Sequence, residues 1–194
     1  MNAVKKLFVL TSAMAAMSAS GLAMATTTVE GEFYVSIRIT PACTVSTLAT
    51  TAPTELSSNA RGADIDFEDH ASNSTNNVER LSQAGTNGGI GVTCTKGTPY
   101  EIALTTTNKN GNDGTGEMHG VSGSAAATAN DKIAYTLYQD AGRGKVWGTG
   151  EHAFKDLRGT GTEQFYPVYG RVAGTELNKT AGRYFDRVRV TVSY

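Results

Sequence analysis

From residue 29 to residue 40 apolar and polar positions alternate. Val29, Gly31, Phe33, Val35, Ile37 and Ile39 share one parity, and Glu30, Glu32, Tyr34, Ser36, Arg38 and Thr40 the other. A period of two predicts a β-strand with one apolar and one polar face. At about 3.3 Å per residue it would span roughly 40 Å, about twice a typical strand. Two readings stay open on this pattern. The stretch is either the ordinary first strand of a β-sandwich or a strand donated to a neighbouring molecule.

Further strands are expected at 43–48, 90–94, 100–105 and 133–138, and a short one at 145–147. Residues 63–67 also alternate, with Ile65 and Phe67 expected inward. The turn Lys96-Gly97-Thr98-Pro99 suggests that 90–94 and 100–105 form a hairpin. Residues 165–172 read as a strand in which Pro167 favours an edge or a bulge. Segments 49–62, 69–77, 108–116, 120–130 and 148–161 are rich in small and polar residues and read as loops, 108–116 as an exposed, mobile one. Outside the first 25 residues no helical period is evident. Short strands separated by Gly-, Asn- and Thr-rich turns predict an all-β sandwich.

The last strand, 184–194, places Val188, Val190, Val192 and Tyr194 on one face and Arg187, Arg189, Thr191 and Ser193 on the other. A sandwich of this type commonly needs one more strand beside it. None follows in the sequence, so an apolar groove and an unpaired strand edge are expected there. The 29–40 stretch of the next molecule is a candidate to fill it.

Composition narrows the picture. Lys5 and Lys6, an apolar run to Met17 and the small-x-small triplet Ala23-Met24-Ala25 read as a cleaved secretory signal covering residues 1–25. The formal net charge is −1 and becomes two units more negative without Lys5 and Lys6. This gives no electrostatic argument for nucleic acid or anionic membranes. In an exported chain the two cysteines, Cys43 and Cys94, suggest one disulfide. Neither has a nearby second ligand or a Cys-x-x-Cys partner, which argues against a metal or redox role.

The quoted segments also carry a family resemblance. Its pieces are Val29-Glu30-Gly31-Glu32-Phe33-Tyr34-Val35 leading into Cys43-Thr44-Val45; Val92-Thr93-Cys94-Thr95-Lys96-Gly97-Thr98-Pro99-Tyr100; Ile133-Ala134-Tyr135-Thr136-Leu137-Tyr138-Gln139-Asp140; Val146-Trp147-Gly148; Val168-Tyr169-Gly170-Arg171-Val172; and Ala181-Gly182-Arg183-Tyr184-Phe185-Asp186-Arg187-Val188 onward. In this order they resemble subunits of archaic chaperone–usher pili, whose domain is also called the spore coat protein U domain. Two departures stand out: Glu68 follows Phe67 where the family often has glycine, and the 108–116 loop is enlarged.

The resemblance implies an incomplete immunoglobulin-like sandwich at 41–194, completed by a donated strand, with 26–40 as donor. Val29, Gly31, Phe33, Val35, Ile37 and Ile39 would be the donor face; Val188, Val190, Val192 and Tyr194 would edge the acceptor groove. The implied partners are a periplasmic chaperone, an outer-membrane usher and neighbouring pilus subunits joined head to tail. The implied location is the periplasm in transit and then a cell-surface fimbrium serving adhesion and biofilm formation. No cofactor, metal or nucleic acid is implied.

The remaining candidate chemistry is weaker. His70, His119 and His152 lie in polar stretches without metal-ligand spacing. Ser and Asp are too numerous for spacing alone to discount a triad, but catalysis is not expected. Asp64, Asp66, Glu68 and Asp69 form an acidic cluster without an EF-hand pattern. Trp147 with Tyr138 or Tyr169 would suit sugar stacking, although a buried tryptophan is the plainer reading. The main alternative is a self-complemented secreted coat or matrix protein of the same fold.

Overall fold

The computed structural model describes residues 27–49, 60–83 and 88–194. The expected signal sequence, and most of the expected 49–62 loop, lie outside them. The chain divides into Met1–Arg38 and Ile39–Tyr194.

In the second unit the strands are β1 (Cys43–Ser46), β2 (Val78–Leu81), β3 (Ile90–Cys94), β4 (Pro99–Thr106), β5 (Thr115–Gly120), β6 (Lys132–Tyr138), β7 (Phe154–Arg158), β8 (Glu163–Tyr166), β9 (Tyr169–Val172), β10 (Tyr184–Phe185) and β11 (Val188–Ser193). A short helix, α1 (Ala125–Ala129), separates β5 from β6. Three sheets result, ordered β1-β3-β8, β10-β5-β6-β9-β2 and β11-β4-β7, with every pairing antiparallel.

All three sheets feed one core. Ile90, Val92 and Cys94 come from β3; Tyr100, Ile102 and Leu104 from β4; Tyr135 and Leu137 from β6; Val78 and Val172 from β2 and β9. The alternation along β4 explains its inward face: Tyr100, Ile102, Leu104 and Thr106 are buried and the intervening residues are not. Trp147 is fully buried. Its Nε1–H donates to the Ile102 carbonyl at 2.9 Å, and its ring meets Phe154 edge-on at 5.4 Å. It is therefore a core residue and offers no surface for stacking a sugar. The architecture is an all-β, sandwich-like one, as the strand pattern predicts.

Several local expectations are corrected. The strands β3 and β4 do not form a hairpin. They belong to different sheets, because the intervening turn is held by another part of the chain: Gly97 N–H donates to Gly159 O at 2.8 Å and Gly159 N–H to Thr98 O at 2.9 Å. The expected strand at 165–172 is two strands in two sheets, split at Pro167, which has no N–H to continue a ladder. The expected strand at 184–194 is likewise β10 and β11. Residues 63–67 form no strand. Their backbone instead bonds irregularly, Ala63 N–H to Thr47 O at 2.8 Å and Gln83 N–H to Asp64 O at 3.0 Å. Even so, Ile65 and Phe67 pack against the core as their alternation suggests.

Expected loops contain β7 and α1, and β5 begins inside the expected 108–116 loop. The 108–116 segment is exposed over much of its length, as expected, and is pinned at Gly111 and Thr115. The buried Thr106 hydroxyl donates to Thr115 O at 2.9 Å and accepts from Gly111 N–H at 3.0 Å. In α1, Ser124 caps the first turn by accepting from Ala127 N–H at 3.1 Å, and Asn130 ends it at φ 56°.

Candidate functional site

The core is open along one side. A cleft of about 1250 Å³ penetrates between the sheets. Ile90 and Leu104 line it from β3 and β4, and Met118, Ile133, Tyr135, Leu137 and Val172 from the five-stranded sheet. One wall is the irregular 63–72 segment with Ile65 and Phe67; the other runs from Lys179 through Arg187 to Val188 and Val190.

That second wall carries the strand edge. Among the described residues β11 pairs only with β4, from Val188↔Thr106 to Ser193↔Glu101. In an antiparallel edge strand alternate N–H and C=O groups point away from the sheet and lack a ladder partner. The apolar lining and the unpaired edge thus lie side by side, which is the arrangement that strand addition requires.

The wall is positioned by Asp186. Its Oδ2 accepts from the Tyr135 hydroxyl at 2.8 Å, and its Oδ1 from Asn108 N–H at 2.9 Å and Arg187 N–H at 2.7 Å. The Asn108 side-chain amide donates to Phe185 O and Glu117 O, both at 3.1 Å. This network fixes the crossing from β10 to β11. Burial pushes the Tyr135 phenol well above its ordinary value, and the negative charge of Asp186 and the hydrogen bond to it push further in the same direction. Gly116 makes room for this ring, since a Cβ there would stand 2.3 Å from Tyr135 Cζ.

The sequence-predicted acceptor residues divide. Val188 and Val190 line the cleft. Val192 packs against the core beyond the cleft lining, and Tyr194 is 63% exposed after the end of β11. Cys43 and Cys94 are disulfide-bonded and directly opposite in the β1–β3 register. The expected donor residues form no strand within this chain. The large ones are exposed, from 76% at Ile39 to 94% at Val29, and nothing stands within 4 Å of a Cβ built at Gly31. A strand needs a partner backbone to hold its ladder, and among the described residues 29–40 joins none of the three sheets.

The floor of the cleft is only partly legible in the sequence. Ile133, Tyr135 and Leu137 were legible as one face of β6. Met118 was not, because Thr115-Gly116-Glu117-Met118-His119-Gly120 carries no apolar alternation.

The other candidate chemistry disperses. His70 Nε2 lies 2.7 Å from Phe67 O, His119 lies on β5 with Nε2 3.8 Å from Glu117 Oε2, and His152 closes a 3₁₀ turn. In the acidic cluster Asp64 Oδ2 accepts from Arg61 N–H at 3.1 Å, Asp66 Oδ1 accepts from Glu68 N–H at 2.9 Å, and Glu68 pairs with Arg80. Among the described residues no three His, Cys, Asp or Glu side chains are grouped to hold a metal ion. Nor is any helix among them long and apolar enough to cross a membrane.

A family model for the Spore Coat Protein U domain matches residues 29–191. The chain belongs to that family. The match takes in the exposed alternating segment, the cleft and most of β11 of this Spore Coat Protein U domain. No curated protein matches the chain. Among solved structures it is similar to a chain of the CsuC–CsuE chaperone–tip adhesion subunit pre-assembly complex from archaic chaperone–usher Csu pili of Acinetobacter baumannii. The identity is 18%, the TM-score 0.46, and the alignment covers 80% of this chain and 40% of that one. The Spore Coat Protein U domain chain thus spans about two fifths of the length of that chain.

Proposed function

We propose that this protein is a structural subunit of a surface pilus, polymerised by donating residues 26–40 of each copy into the cleft of the next. The observation that carries the reading is the apolar cleft bordered by the one-sided strand β11. An alternating segment with its apolar residues exposed is the chemical complement of such a cleft. A large apolar side chain fully buried there contributes about 1.5–3 kcal/mol, so several in a row make release very slow. A head-to-tail contact that does not close on itself builds a fibre.

On this reading residues 41–194 are the sandwich domain and residues 1–25 direct export. A periplasmic chaperone covers the cleft in transit, an outer-membrane usher exchanges the covering strand, and the fibre serves adhesion and biofilm formation. The family resemblance supports these partners, and the cleft supplies the reason a covering partner is needed: an apolar opening beside an unpaired edge aggregates if left bare. The role is structural rather than catalytic.

The test is light scattering after size-exclusion chromatography on two chains, one starting at Thr26 and one at Thr40. The longer chain forms heat-resistant polymers and the shorter one does not. Two monomers of equal stability would instead favour a secreted structural protein of the same fold that does not exchange strands.

A further inference from the structure

The donated segment has a second face, and its charges match one place on the acceptor. We propose that Glu30 and Glu32 of one copy lie opposite Arg189 and Arg187 of the next, with the donated segment antiparallel to β11. This rests on the donor reading above and adds its register and direction.

Parity comes first. With Val29, Gly31 and Phe33 turned inward, Glu30 and Glu32 face outward. On β11 the inward residues are Val188, Val190 and Val192, and Arg189, Thr191 and Ser193 are exposed. Arg187 continues that outer row, because its carbonyl accepts from Thr107 N–H at 2.8 Å and so extends the pairing with the β4 side by one step. Across from Arg189 on β4 stands Thr105, which brings no compensating charge. Among the described residues neither Arg187 nor Arg189 makes an ion pair. The donor brings the two carboxylates at the same two-residue spacing. Opposite charges placed directly across an antiparallel pair attract, and like charges repel.

Direction follows from where the cleft lies. It is lined by Val188, Val190 and the wall from Lys179 to Arg187, and not by Val192 or Tyr194. With Glu32 opposite Arg187 in the antiparallel sense, Val29 meets Val190 and Gly31 meets Val188. Phe33, Val35 and Ile37 then continue past the start of β11 into the cleft beside Tyr184 and Phe185. In the parallel sense Glu30 would meet Arg187 and Glu32 would meet Arg189, which leaves Phe33 opposite Val190 and carries Val35 and Ile37 along Val192 and Tyr194, beyond the cleft lining.

The test uses full chains starting at Thr26 and measures the rate at which polymers dissociate in urea at low salt. Glu32→Lys and Arg187→Glu each speed dissociation about two- to five-fold, the range of an exposed ion pair. The double variant Glu32→Lys/Arg187→Glu returns to near the original rate, and added salt narrows the differences. A double variant as fast as the two single effects multiplied would overturn the pairing. Rescue of Glu32→Lys by Arg189→Glu in place of Arg187→Glu would overturn this register. If the unaltered chain forms no polymer at all, the donor reading itself falls, and the register with it.

Discussion

The Tyr135 hydroxyl donates a 2.8 Å hydrogen bond to Asp186 Oδ2, tying the middle of the five-stranded sheet to the crossing from β10 to β11. The phenol is buried, so its partner is not readily replaced by water. Tyr135→Phe keeps the ring on Gly116 and removes only the donor. We expect a loss of about 1.5–3 kcal/mol, the range for a hydrogen bond to a charged group, measured by urea unfolding of the chain starting at Thr40. Equal stability of the two chains would show that the backbone donors of Asn108 and Arg187 hold Asp186 by themselves.

The same pair sets an alkaline limit. Burial first, then the charge of Asp186 and the hydrogen bond, raise the Tyr135 phenol above its unfolded value of about 10. A group raised on folding contributes stability that is complete below its unfolded value and drains away as pH climbs above it. Tyr100 acts in the same direction, raised by burial and then by its hydrogen bond with Tyr166. Stability is therefore expected to fall above about pH 10. Tyr135→Phe should fall less steeply over that range, and a slope as steep as that of the unaltered chain would remove Tyr135 from the cause.

Glu68 occupies a left-handed backbone conformation, φ 64°, at the position where the resemblance leads one to expect glycine. A side chain there costs roughly 1–2 kcal/mol relative to the right-handed region, a penalty glycine escapes. The ion pair with Arg80 and the bond from its own N–H to Asp66 Oδ1 offset part of that cost. Glu68→Ala loses the pair and keeps the strain. Glu68→Gly loses the pair and the strain together. The glycine variant should therefore be the more stable by about 1 kcal/mol in thermal unfolding, the reverse of the order at an ordinary exposed helical site.

Which features were legible in the sequence follows from how each is encoded. Strands that bury one face announce themselves by alternation, and 43–48, 90–94, 100–105 and 133–138 are close to the observed β1, β3, β4 and β6. Pairing is not encoded so locally. The turn after β3 looks like a hairpin turn, yet Gly97 and Thr98 bond to Gly159, far along the chain. The strands β5 and β7 escape notice because neither alternates: glycine, histidine and glutamate fill most of β5, and in β7 the apolar Phe154 and Leu157 stand three apart, where the pairing with β4 shifts register. The cleft was legible at its rim, through Val188 and Val190, and only partly at its floor. Met118 joins Ile133 and Tyr135 only through sheet pairing, opposite Ile133 in the β5–β6 register. Glu68 was visible as an oddity, but its meaning needed the backbone angle.

The Cys43–Cys94 bond joins β1 to β3 at directly opposed positions, across a sequence separation of 51 residues. β1 has four residues, and among the described residues it pairs with β3 alone. Without the covalent tie, four residues of ladder would hold this end of the chain. The chain-entropy model assigns a loop of this size about 4 kcal/mol. Replacing both cysteines by serine should lower the urea midpoint by a corresponding amount, and a change under about 1 kcal/mol would mean that the unfolded chain already keeps β1 near β3.

Parity gives the sharpest check on strand donation. Phe33 and Tyr34 are adjacent, aromatic and both exposed in the single chain, so neither substitution should disturb the fold of the sandwich itself. In a filled cleft they separate: Phe33 turns inward and Tyr34 outward. Phe33→Asp gives up about 1.5–3 kcal/mol of apolar burial and adds the cost of placing a carboxylate among Leu104, Ile133 and their neighbours. Tyr34→Asp places the same carboxylate in water. Polymers should vanish in the first variant and persist in the second, while the melting temperature of the unpolymerised domain stays the same in both. A composition effect would weaken the two alike, and a strand with the opposite face inward would exchange their behaviour. The two variants, measured side by side by light scattering, thus distinguish donation by this face from any looser hydrophobic association.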